Sequence, residues 1–90
     1  MQKITTFEEA REFFGISSAV SSSTALKKEL ILLRESKWFF DRSVEELEQA
    51  EKAMSILVDT YHEWVRIEED EENKKKDLLL KIAQLYEKLA

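Results

Sequence analysis

From Ser43 onward apolar residues recur at alternating steps of three and four. Leu47, Met54 and Tyr61 stand seven apart, as do Ala50, Leu57 and Trp64, so the two sets take the a and d positions of a coiled-coil seam. The charged run from Glu68 to Asp77 interrupts this pattern. Counted straight through it, Ile82 and Leu89 still fall on a, and Leu78 and Leu85 on d. A loop of arbitrary length would not keep that count, so residues 43–90 are predicted to form one long helix, or two closely in register, spanning roughly 70 Å if continuous. Inside the charged run, Asp70 and Lys74, Glu71 and Lys75, and Glu72 and Lys76 are acid-before-base pairs four apart. Each supports a helix by about 0.2–0.5 kcal/mol.

Upstream, Thr6 with Glu9 three residues later forms a capping box, and Gly15 suits the left-handed residue just past a helix end. The short helix between them places Phe7, Ala10, Phe13 and Phe14 at helical spacing. Phe7, Phe13 and Phe14 therefore form a docking face, because a helix this short does not persist alone. Residues 16–23 are rich in serine and read as a linker whose hydroxyls can cap a second helix. The next apolar stripe, Leu26, Leu30, Leu33 and Phe40, is widened by Ile31, Leu32, Trp38 and Phe39, so this second helix is buried on more than one side. Lys27, Lys28, Arg34 and Lys37 give it a basic edge expected to pair with the acidic long helix. Ser43 and Glu46 form a second capping box and mark the clearest boundary. The chain divides into an N-terminal helix and linker over 1–25, a second helix over 26–42 and the long helix over 43–90, all within one domain.

Composition narrows the class. Charged residues make up 37% against one glycine and no proline, which favours solvated helices over turn-rich sheets, so the fold class is all-α and elongated. A monomer of this length buries only about 60% of its unfolded surface, so help from a partner chain is expected. There is no cysteine, which removes disulfides, thiolate metal sites and cysteine nucleophiles. No stretch has the length to span a bilayer and no signal-peptide pattern opens the chain, so a cytoplasmic protein without a membrane role is expected. The net charge of −5 argues against direct nucleic-acid contact, which needs clustered Lys and Arg. A helix-turn-helix reading of the first two helices fails because residues 16–23 contain neither arginine nor lysine.

Catalytic chemistry is thin. His62 is the one histidine, and Asp59 shares its helix face, but a single such pair supplies too few metal ligands. No serine sits in a nucleophile elbow and no glycine-rich loop is present, so no catalytic residue, metal, cofactor or small-molecule ligand is assigned. Function falls instead on an oligomer interface of Leu30, Leu33, Leu47, Met54, Leu57, Val58, Tyr61, Trp64, Leu78, Ile82, Leu85 and Leu89. Trp38, Tyr61 and Trp64 serve either as core or as anchors of a partner surface. Glu68, Glu71 and Lys75 fall on the seam. An antiparallel pair centred near residue 72 brings Glu68 towards Lys75 of a second copy. Alternatively, the two apolar stretches engage different partners across a charged spacer.

The order Leu33-Arg34, a break, Ser43-Val44-Glu45-Glu46-Leu47, Glu51-Lys52, an apolar stretch, the acidic Glu68 to Glu72 and the closing Lys81 to Leu89 resembles the oligomerisation half of the bacterial histone-like nucleoid-structuring family. The resemblance covers residues 26–90. It implies short helices and a long helix forming one dimer site, matched by Leu47, Met54, Leu57 and Val58, and a second site at Leu78, Ile82, Leu85 and Leu89. It further implies a place on the nucleoid, in filaments that silence AT-rich DNA, with DNA binding on a domain this chain lacks. Two functions are therefore expected: a homo-oligomerising module of such a nucleoid-associated protein, or a stand-alone coiled-coil protein, an antagonist or adaptor, that binds a host helical protein.

Overall fold

The computed structural model describes residues 3–89, so residues 1, 2 and 90 of the outlined segments lie outside the described residues. Three helices, α1 (Phe7–Phe13), α2 (Ser23–Glu35) and α3 (Val44–Glu87), make up the fold, and its long axis measures 71 Å. No strand occurs among the described residues. The first half of α3 carries α1 and α2 on one face, forming a helical head, and the second half projects from it.

Local chemistry starts and stops each element. At α1, the Thr6 hydroxyl accepts from the Glu9 N–H at 3.2 Å, and the Glu9 carboxylate accepts from the Thr6 N–H at 3.2 Å. At its other end Gly15 has φ +72°, its N–H donates to Glu12 O at 3.0 Å, and the Ile16 N–H donates to Arg11 O at 3.0 Å. These are the two bonds of a Schellman termination, and they turn Ile16 back into the core, where it is buried. Arg11 supports the turn by donating from Nη1 to Ile16 O at 2.6 Å. Ser22 caps α2 through its hydroxyl, which accepts from the Ala25 N–H at 3.2 Å.

α2 ends at Glu35, seven residues short of the boundary expected at 42. Ser36 takes an extended ψ of 169°, donates from its hydroxyl to Leu33 O at 2.7 Å and accepts the Trp38 N–H at 3.2 Å. The chain turns because the aromatic residues beyond it are needed elsewhere. Trp38 sits edge-on to Phe14 at 4.9 Å and to Phe13 at 5.4 Å, and Phe39 lies 5.0 Å from Trp38. A helix continued to residue 42 would carry these rings away from α1. Phe40, expected on the helical stripe, points to solvent at 67% exposure.

Arg42 straps this turn to α3. Its Nε donates to Trp38 O at 2.7 Å, its guanidinium stacks 4.2 Å over the Trp38 ring, and its Nη1 meets the Glu46 carboxylate at 3.2 Å. Glu46 also closes the capping box at Ser43, whose hydroxyl accepts the Glu46 N–H at 3.1 Å. Ser43→Ala removes that acceptor and is expected to cost about 1 kcal/mol of head stability. Urea titration followed by tryptophan fluorescence measures this, and an unchanged midpoint would show that the cap contributes nothing.

The core is the joint of all three helices. Ala10, Phe14, Ile16, Leu26, Leu33, Ala50, Ala53 and Leu57 are buried there, and Phe7 packs edge-on to Trp64 at 5.2 Å. Ala10, Ala50 and Ala53 are small, which lets α1 approach α3 closely. The head reaches as far as Glu68, whose carboxylate accepts the Ser23 N–H at the start of α2 at 3.3 Å. Beyond it every described residue is exposed. Lys88 caps α3 at its C-terminal end, so Leu89 lies in a closing turn rather than within the helix.

Candidate association surface

The residues expected at the oligomer interface divide into two groups. Leu33 and Leu57 are buried within the chain, and Leu30, Met54, Tyr61 and Trp64 pack half-buried against the same core. Phe14 is buried and Phe7 and Phe13 are half-buried: Phe7 packs on Trp64 of α3, whereas Phe13 and Phe14 pack on Trp38 in the turn before it. The remaining six, Leu47, Val58, Leu78, Ile82, Leu85 and Leu89, are exposed. The single apolar stripe seen in the spacing therefore has two fates. Over its first half the chain's own α1 and α2 cover it except at Leu47 and Val58; over its second half nothing among the described residues does.

That second half is more apolar than the heptad positions alone indicate. Leu79 is 57% and Tyr86 70% exposed, beside Leu78, Ile82 and Leu85 at 47–61%. Leu79 and Tyr86 are not among the interface residues expected from spacing. Each occupies an e position, one residue after the d leucines Leu78 and Leu85, and a broadened a, d and e face is typical of a helix buried in a bundle.

The electrostatic frame is mostly solvent-exposed. Of the three ion pairs expected in the charged run, Glu72 with Lys76 is formed at 3.8 Å, and a further pair, Asp77 with Lys81, lies at 3.2 Å. Among the described residues no ion pair joins Lys27, Lys28, Arg34 or Lys37 to α3, contrary to expectation. Lys27 and Arg34 instead rim a shallow recess between α2 and α3, lined by Leu30, Ile31, Val58, Tyr61 and His62. His62 stacks 5.4 Å from Tyr61, and among the described residues no three potential ligands converge for a metal. No described helix is long and apolar enough to cross a membrane.

No family model matches this chain, and no curated protein or solved structure matches it significantly. The surface it presents is the pointer to its function.

Two carboxylates have shifted titration. Hydrogen bonds from the Thr6 hydroxyl and the Thr5 backbone hold Glu9 below the usual carboxylate range, and the Arg42 guanidinium with the Ser43 backbone does the same for Glu46. Both folded values lie below the unfolded ones, so the unfolded chain binds more protons in acid. The stabilisation is complete above the ordinary Glu value of about 4.3 and is lost as pH falls through the lowered folded values. The melting temperature of the head is therefore expected to fall on acidification below about pH 4, and Glu9→Gln with Glu46→Gln together should flatten that part of the profile. An acid profile unchanged in the double variant would show that neither capping carboxylate governs it.

Proposed function

We propose that this chain is a non-enzymatic self-association module whose contacts are made by the projecting half of α3. The observation that carries this reading is the bare apolar face from Leu78 to Tyr86. A contiguous face of large side chains on a solvated helix marks an interaction site. Two surface ion pairs, each worth about 0.3–0.5 kcal/mol, do not hold such a segment helical in water. A partner helix covering the apolar face supplies the missing burial.

The finer reading is that the module serves a bacterial nucleoid-associated, DNA-silencing protein whose nucleic-acid contacts lie on another domain. It rests on the resemblance over residues 26–90 and on the acidic balance of the chain. One observation favours the second reading, a stand-alone interaction protein that pairs with a host helical protein. In the first of the two sites the resemblance implies, Leu57 is buried and Met54 half-buried within the chain while Leu47 and Val58 stay exposed, which leaves the projecting half as the larger free surface.

Sedimentation over a wide concentration range separates these. Self-association predicts a mass rising from monomer to dimer or beyond, with a high frictional ratio. A monomer at every concentration would overturn self-association and leave the host-partner reading.

A further inference from the structure

Resting on the self-association reading, we infer that the partner is a second copy lying antiparallel along α3, through a seam displaced from the a and d positions to a and e. Burial of the d face by α1 and α2 motivates the displacement. Val58 and Tyr61 line the recess on the head, and Val65, one turn further along α3, is half-buried. The same alternation of three and four carries their line through Glu68, Glu72 and Lys75 and on to Leu79, Ile82 and Tyr86. This line runs the length of the exposed helix. A straight helix drifts about 20° per heptad against a strict seven-residue repeat, so such a line winds as a left-handed supercoil.

Three of these positions are charged, and they set direction and register. An in-register parallel pair would stack Glu68 on Glu68, Glu72 on Glu72 and Lys75 on Lys75, like charges in successive layers. The antiparallel register that opposes Glu72 to Lys75 of the second copy forms that pair twice about the two-fold axis. It sets Glu71 and Glu72 level with Lys76 and Lys75 of the other copy, while Asp70 comes level with Asp77. The same register opposes Val65 to Ile82 and Tyr61 to Tyr86, apolar on apolar at both ends, and Glu68 to Leu79 between them. Leu89 in its closing turn then comes level with Val58. Glu87 arrives level with residue 60, beside the recess whose rim cations Lys27 and Arg34 have no acidic partner among the described ion pairs. Because each copy offers both halves of every contact, the arrangement closes as an isologous dimer with the two heads at opposite ends.

The chain has no cysteine, so introduced thiols report the register directly. On one helix residues 65 and 82 lie about 25 Å apart, which means a disulfide between them must join two copies. The double variant Val65→Cys, Ile82→Cys is expected to form a covalent dimer under mild oxidation, while each single variant stays uncrosslinked. Glu72→Lys and Lys75→Glu should each weaken the dimer about tenfold by sedimentation, and the two together should restore it. Circular dichroism checks that the variants remain helical. Self-crosslinking of Val65→Cys alone would establish a parallel pair and overturn the inference. A dimer that forms without the 65-to-82 crosslink overturns the register but leaves self-association standing. An unmodified chain that stays monomeric overturns both.

Discussion

Leu57→Ala is expected to lower the stability of the head by about 2–5 kcal/mol, the usual cost of deleting a fully buried leucine side chain. Leu57 is completely buried and lies in the cluster with Leu26, Leu33 and Phe14. Its replacement leaves a void among side chains drawn from all three helices. Collapse is limited because neighbouring positions in the cluster are already small, as at Ala10 and Ala53. Since a domain of this size is stable by only about 5–15 kcal/mol, the loss is a large fraction of the total. Trp38 and Trp64 both pack against the head core, so their fluorescence follows its unfolding in urea. A change below about 1 kcal/mol would mean that Leu57 is not held in a closed intrachain core. The same substitution tests where the seam residues are used: a core leucine loses stability at every protein concentration, whereas an interface leucine loses it only where copies associate.

Ile82→Asp is expected to have the opposite signature. Ile82 is 47% exposed and lies beyond the last contact of the head, so the head should unfold as before. Association should be lost, because a carboxylate buried without a partner between two helices costs several kcal/mol, equivalent to at least about a hundredfold in dissociation constant. Sedimentation of the variant beside the parent reads this out. Unchanged association with the aspartate in place would remove the projecting half of α3 as the contact surface. Together the two variants separate the halves of α3: one changes stability and spares assembly, the other changes assembly and spares the head.

Much of this molecule is legible in short spans of sequence. Thr6 with Glu9 and Ser43 with Glu46 are readable as capping boxes because their hydrogen bonds join residues three apart, a distance the helix itself sets. Gly15 is readable as a helix end because a left-handed residue is needed there and glycine meets it without strain. The heptad count through the charged run predicts one long helix or two closely in register, and α3 is the continuous form. Leu79 and Tyr86 escape that count, because a seam defined by a and d alone hides an apolar residue at e.

The end of α2 is not legible in the same way. Ile31, Leu32, Trp38 and Phe39 fit a continued helix as well as they fit a turn, and the choice depends on the rings of α1, which lie far off in sequence. The division of α3 is hidden for a related reason. Periodicity determines that a helix has an apolar face, since it follows from 3.6 residues per turn, but the covering of that face depends on how distant segments pack. Amphipathic α3 and its caps were determined by the sequence alone. That α1 and α2 claim most of the first half of its face, leaving the second half open, was decided only by tertiary packing, where Phe7 meets Trp64 and Leu26 joins the buried cluster of Ala50, Ala53 and Leu57.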